Sequence, residues 1–147
     1  MEWKFYSSFN SIPGKQIYDV LKLRQDVFIL EQNCFYEDID YLDQEAEHLL
    51  VSDKDELCGY LRIVPPGIKY SEISIGRIVV KKSFRGKNLG KELVNRALNE
   101  IQTRKRQPVR IEAQAHLIPF YSDLGFSIKG AVYELDGIPH VEMLYSK

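Results

Sequence analysis

The sequence predicts an α+β fold in a single domain spanning residues 1–147, built on a mostly antiparallel sheet with helices around it. Three observations predict it. Extended runs come in succession through the middle of the chain; one of them enters a glycine-containing turn and then a helical repeat, which makes a single β-α-β crossover; and the chain ends in two extended runs around Asp136-Gly137. At 147 residues, with 44% apolar and 12% aromatic side chains, there is enough to fill one sizeable core.

The elements follow in order. Residues 2–6 alternate as a strand, and a Pro-Gly turn falls within Ile12 to Lys15. From Ile17, apolar residues recur at Val20, Leu21, Val27 and Phe28, so a helix is expected through about residue 31. Arg24 falls on its apolar stripe, where it either snorkels outward or meets a buried carboxylate, and structural pairing is preferred over ligand contact. "EQNCFYEDIDYLDQEAEH" carries seven carboxylates and reads as an irregular connection with a short helix. Strands are expected at His48 to Ser52, at Leu57 to Val64, stopped by Pro65-Pro66-Gly67, and at Ile73 to Val80.

Leu89, Leu93, Val94, Ala97, Leu98 and Ile101 lie on one helical face. The basic run "TRKRQP" closes that helix with cations that suit its dipole. "VRIEAQAH" alternates as a strand from Val109 to Ala113, "LIPFYSDLGF" is a short helix closed by Gly125, and Asp136-Gly137 turns the final hairpin.

Composition narrows the function. Twenty basic against twenty-one acidic residues give a formal charge of −1, so nothing global favours nucleic acid or an anionic membrane. No stretch approaches 18 apolar residues and no secretion signal is seen, so a soluble cytoplasmic protein is expected, with Cys34 and Cys58 as free thiols. His48, His116 and His140 lie far apart, no paired cysteine or histidine spacing exists, and the acidic segment lacks the glycine turn of a calcium loop. No metal site is expected.

"SFRGKNLGKELVNRAL" carries the chemistry. A strand, a glycine-containing turn and a helix in succession aim unpaired backbone N–H groups at one point, where the positive end of the helix dipole adds to their pull on an anion. Walker A is excluded because three residues separate Gly86 from Gly90 and Glu92 stands where Ser or Thr is needed; G-x-G-x-x-G is absent.

Arg85-Gly86-Lys87-Asn88-Leu89-Gly90 resembles motif A of the GNAT superfamily of acyl-CoA-dependent N-acyltransferases, [RQ]-x-x-G-x-[GA], with Asn88 as the departure. Asn enters the left-handed region more readily than other non-glycine residues, so the turn can survive. "LRQDVFILEQNCFYEDIDYLDQEAEHLL", "IGRIVV", "AQAHLIPFYSDLGF" and "DGIPHVEM" together resemble the ElaA-like subfamily and span nearly the whole chain.

The resemblance implies the GNAT fold, with acetyl-CoA as cosubstrate entering between two splayed parallel strands. It lays the pyrophosphate on the amides of Gly86, Lys87, Asn88, Leu89, Gly90 and Lys91 and the pantetheine arm along Ile78, Val79 and Val80; the Arg85 and Lys87 side chains are expected to add charge. A backbone N–H near Val79 or Val80 would stabilise the oxyanion. Tyr121 matches the general-acid tyrosine, and Gln114 a polar position against the cofactor. The attacking group is an amine, whose proton is taken by Glu112 or, alternatively, by His116 or His48.

Asp38 and Asp40, interleaved with Phe35, Tyr36, Ile39 and Tyr41, are expected to attract a cationic amine, small or at a chain end, with His116 and His140 near the cleft. The resemblance supports the presence of His140 without giving it a role. Two alternatives stay open: a coenzyme A-binding sensor without turnover, and an acyl-homoserine-lactone-synthase-like enzyme, because "LRQDVF" also resembles the N-terminal helix of that family. The acceptor's identity and the oligomeric state are not readable.

Overall fold

The computed structural model describes residues 1–146. Seven strands form one sheet: β1 (Glu2–Tyr6), β2 (Glu47–Asp53), β3 (Glu56–Val64), β4 (Ile73–Val80), β5 (Val109–Gln114), β6 (Phe126–Leu135) and β7 (Ile138–Tyr145). Their spatial order is β1-β2-β3-β4-β5-β7-β6, and every pairing is antiparallel except β4 with β5. The helices are α1 (Gly14–Arg24), α2 (Leu89–Lys105) and α3 (Ile118–Asp123). Among the described residues no helix is long and apolar enough to cross a membrane.

Alternation along the strands makes two cores, one on each face. Leu49, Val51, Leu61 and Ile63 pack beneath Leu93, Val94, Ala97 and Ile101 of α2. Leu50, Tyr60 and Val79 turn the other way, onto Val20, Leu23 and Val27. All six residues of the apolar repeat expected for α2 are buried. Two-residue turns with both central φ values positive join β2 to β3 at Lys54-Asp55 and β6 to β7 at Asp136-Gly137, the backbone twist that suits tight hairpins. Gly125 closes α3 at φ +104, where an added Cβ would stand 2.9 Å from Tyr145 Cε2.

Two departures shape the site. The first long helix starts at Gly14 and keeps its helical course to Glu31, but Gln25–Glu31 winds as a π-helix. The Gln32 N–H bonds Val27 O and the Cys34 N–H bonds Ile29 O, each five residues back. This wider winding brings Phe28, Glu31 and Gln32 to the edge of the opening between β4 and β5.

The second departure is that opening. β4 and β5 pair only at Ile73 with Val109 and Ser74 with Arg110, and then separate. On its other side β4 carries a bulge: Tyr60 pairs with Val79 and Arg62 with Gly76, so three steps on β4 match two on β3. Arg77 sits in the bulge at φ 51, a left-handed conformation uncommon for a residue with a side chain.

Candidate active site

The turn before α2 leaves several backbone amides open at one point, an arrangement that could hold an anion. Gly86 takes φ +82 and Asn88 takes φ 60, ψ 19, so Asn88 fills the left-handed position that a glycine often holds. The first helical bond runs from the Glu92 N–H to Asn88 O, which leaves the N–H groups of Leu89, Gly90 and Lys91 without intrahelical partners. An added Cβ on Gly90 would come only to 3.7 Å from Val80 Cγ2, so its bareness keeps the helix end open rather than relieving a clash.

In front of this turn lies a groove of ≈ 710 Å³, lined by Ile78, Val79 and Val80, by Arg85, Gly86 and Asn88 to Lys91, and by Gln114, His116 and Tyr121. Lys87 is not part of its lining and stands with Nζ 5.6 Å from the Phe84 ring centroid. Arg85 is engaged by the protein itself: Nη1 and Nη2 donate to Glu31 at 2.6 and 2.9 Å, and Nε donates to Val80 O at 3.0 Å. It ties the π-helix to the end of β4.

The direction of the β4 amides follows from register. The Lys81 N–H bonds Cys58 O, so Val79, two residues back, is also turned toward β3. Ile78 and Val80 therefore turn their N–H groups toward the opening, consistent with the Arg85 contact to Val80 O. This corrects the expectation that Val79 supplies an oxyanion donor; Val80 keeps that geometry and Ile78 joins it.

A second, smaller cavity of ≈ 190 Å³ lies beyond the opening, lined by Cys34, Tyr36, Lys69, Arg77, Glu112, Asp136 and His140 among others. Phe28, Gln32, Ile78, Gln114, Leu117 and Tyr121 line both cavities, so these six residues mark where the two meet. Tyr121 is held by edge contacts from Phe120 at 5.1 Å and Phe126 at 5.8 Å between centroids. It is 7% exposed, and its hydroxyl has no hydrogen-bond partner among the described residues. Burial pushes the phenol up to about 12, which keeps it protonated.

Glu112 receives the Tyr133 hydroxyl on Oε2 and Lys69 Nζ at 3.3 Å on Oε1. Burial opposes its charge, but the Tyr133 bond and the Lys69 cation outweigh it and hold the carboxyl below its ordinary value. Gln114 donates to Gln32 at 3.2 Å and bridges the π-helix to β5. His140 Nδ1 is 2.7 Å from Ile138 O. His116 is exposed and lines only the larger groove.

Asp38 and Asp40 lie elsewhere. Arg24, wholly buried, donates from Nε to Asp38 at 2.9 Å and from Nη1 to Asp43 at 2.7 Å. Arg62 grips Asp40 with two bonds of 2.8 and 2.6 Å and reaches Asp43 at 3.0 Å. Arg77 Nη2 donates to Asp38 O at 3.1 Å and Asp40 at 3.2 Å, while its Nε is 2.8 Å from Asp38 Oδ1 but off the hydrogen-bond direction. The expectation that these two carboxylates offer open charge to an ammonium is thus corrected: three aspartates meet three arginines, and neither Asp38 nor Asp40 lines the smaller cavity. Arg24 makes the structural pairing expected of it. His48 is equally committed, with Nδ1 2.6 Å from the Tyr60 hydroxyl and Nε2 3.0 Å from Asp43 O, so it has no free nitrogen for a proton-acceptor role.

Tyr133, Lys69, Phe28, Gln32 and Arg77 were not anticipated at the site. Gly130, isolated in a strand pattern, was the available sign of the bulge that precedes Tyr133. Cys34 and Cys58 are free, as expected, and among the described residues no cluster suits a metal.

A mixed seven-stranded sheet whose two central parallel strands part beside a glycine-turn helix defines the acyl-CoA N-acyltransferase fold. The chain belongs to the GNAT acetyltransferase family, whose domain description matches residues 16–147. It is 40% identical over 131 residues to protein ElaA of Escherichia coli, covering 87% of this chain and 86% of that protein. The crystal structure of E. coli ElaA superposes with a TM-score of 0.91, and that of an acyl-CoA N-acyltransferase from Pseudomonas aeruginosa, 34% identical, with 0.92; each match covers 99% of both chains. An aminoglycoside 6'-N-acetyltransferase complexed with coenzyme A shares the fold at 20% identity, with a TM-score of 0.72 over 98% of this chain and 96% of that one.

Proposed function

We propose that this protein transfers the acetyl group of acetyl-CoA to a primary amine, small or at a chain end, by direct attack. The observation that carries the reading is the meeting of a long groove and a compact pocket at one unpartnered tyrosine hydroxyl. The groove suits the cofactor: its phosphates lie on the free amides at the start of α2, and its arm follows the open edge of β4. A solved relative of the fold holds coenzyme A, which supports this placement. Two free cysteines suit a reducing compartment and support a cytoplasmic setting.

The amine enters the smaller pocket, where Glu112 supplies negative charge. Once deprotonated, its nitrogen forms the N–C bond while the carbonyl pair moves onto oxygen, which the Ile78 or Val80 N–H stabilises. Collapse breaks the C–S bond, and the pair leaves on sulfur, which takes the Tyr121 proton. The phenolate recovers a proton from the new amide nitrogen, directly or through water. A sensor of coenzyme A alone would need no polar pocket beyond the thioester, so the pocket favours turnover. The test is thiol release from acetyl-CoA across a panel of amines; calorimetric binding of coenzyme A with no release from any amine would leave the sensor reading in its place.

A further inference from the structure

Both Glu112 and His140 reach the acceptor pocket, and the bonds they make assign them different work. A carbonyl oxygen only accepts, so His140 Nδ1 must carry the hydrogen it shares with Ile138 O at 2.7 Å. The neutral ring is thereby fixed with its lone pair on Nε2. That nitrogen has no partner among the described residues and is not among the buried unpartnered atoms, so it is accessible. Glu112 has the opposite arrangement, with a donor on each oxygen.

Sheet register joins the two. Gln114 pairs with His140 and Glu112 with Glu142, so Glu112 and His140 are diagonal neighbours on one face of β5 and β7. Tyr133 pairs with His140 from β6, stacks on its ring at 6.4 Å and 25°, and donates its hydroxyl to Glu112. One side chain therefore positions both groups.

We propose that His140 Nε2 takes the proton of the acceptor's ammonium, and that Glu112, held by Tyr133 and Lys69, anchors that ammonium without taking its proton. The assignment rests on the transferase reading above. The ammonium gives one proton to Nε2, the imidazolium passes it to solvent, and the freed lone pair attacks the thioester. Donors on both oxygens hold the Glu112 carboxyl below its ordinary value and occupy it, whereas His140 Nε2 keeps an open lone pair facing the pocket.

The titratable and charged groups around His140 come from every neighbouring element: Glu112 from β5, Tyr133 from β6, Asp136 from the hairpin turn, Lys69 from the β3–β4 connection, Arg77 from β4, and Cys34 and Tyr36 from the segment after the π-helix. Glu142, on its own strand, is paired with Arg110 at 2.9 Å, and Arg77 is engaged by Asp38 and Asp40. Glu112 is the carboxylate that shares the His140 face without an arginine partner.

The test is the pH dependence of kcat/KM for the best amine, in the parent and in His140→Gln, Glu112→Gln and Tyr133→Phe, with coenzyme A affinity as the control for folding. The parent should lose rate on acidification, as the accepting nitrogen of His140 takes up a proton from solvent. His140→Gln should abolish that limb and lower kcat by roughly 10²–10⁴-fold with acceptor KM little changed, and added imidazole should restore part of the rate to His140→Ala. Glu112→Gln should keep the limb and raise acceptor KM at least about tenfold. Tyr133→Phe should keep the limb and raise acceptor KM, because Glu112 loses one of its two donors. A limb that survives in His140→Gln and vanishes in Glu112→Gln overturns the assignment while leaving the transferase intact. A parent that binds coenzyme A yet acetylates no amine overturns both.

Discussion

Arg24 Nη1 donates to Asp43 Oδ1 at 2.7 Å across nineteen residues of chain, and both side chains are shut away from solvent. Their pairing fastens the acidic segment, whose Tyr36 lines the smaller cavity, onto the sheet. Arg62 shares Asp43, so Asp43→Ala takes a bond from two arginines and leaves three buried or half-buried cations facing two carboxylates, which should destabilise the fold by about 3–5 kcal/mol, measured by urea denaturation. Asp38→Asn and Asp40→Asn should likewise lose stability before they change acceptor KM.

Acid should act in two stages. Burial holds His48 below its ordinary 6.5, so the unfolded chain binds the extra proton and stability falls as pH drops below about 6.5. Burial opposes ionisation of Asp40 and Asp43 too, but their arginine bonds outweigh it and hold both carboxyls below the usual range. Their contribution is complete above about pH 4, the unfolded value, and is lost as pH falls from there through their folded values. A Tm series from pH 8 to pH 2 checks this, and His48→Gln should remove only the first stage.

The cradle should be sensitive to backbone and indifferent to Lys87. Gly86→Val forces a β-branched residue into φ +82, and Gly90→Val fills the open helix end; each should weaken coenzyme A binding by roughly tenfold or more in calorimetry. Lys87→Ala, outside the groove lining, should change it by less than about threefold. Equal affinity in folded Gly86 and Gly90 variants would make the segment an ordinary turn.

Tyr121→Phe keeps the ring between Phe120 and Phe126 and deletes the proton donor. Turnover with an accepted amine should fall by roughly 10²–10⁴-fold while coenzyme A affinity stays near the parent's. Undiminished kcat would show that the thiolate departs unaided.

What was readable in the sequence followed from local rules. Asp136-Gly137 announced its hairpin because Gly and Asp tolerate the positive φ values that such a turn demands, and the α2 repeat announced its buried face. Asn88 kept the cradle turn, as its short polar side chain allows. The Lys54-Asp55 turn has the same backbone but a weaker residue signal, so β2 and β3 were read one residue short where they meet. The π winding of Gln25–Glu31 left no mark in the apolar spacing, and with it went the placement of Phe28 and Gln32.

Charge was harder still. A run of carboxylates shows its sign but not its partners, because Arg62 and Arg77 come from strands far along the chain. Asp38 and Asp40 therefore read as open charge when they are internal counter-ions. Glu112 is singled out by its match to the family's base positions on its strand, but its donors Tyr133 and Lys69 reach it from 21 and 43 residues away. Only the folded chain brings those two neighbours to it.

The parting of β4 from β5 also makes the main chain a reporter. Ile78 and Val80 present amide hydrogens to the opening with no strand beside them, so in the free protein these hydrogens should swap for solvent deuterium far faster than their neighbour Val79, which is paired with Tyr60. Anything that lies along that edge will slow the swap at positions 78 and 80 first. Deuterium uptake at two residues can thus rank acyl thioesters of different chain length against one another before a single acceptor amine has been found.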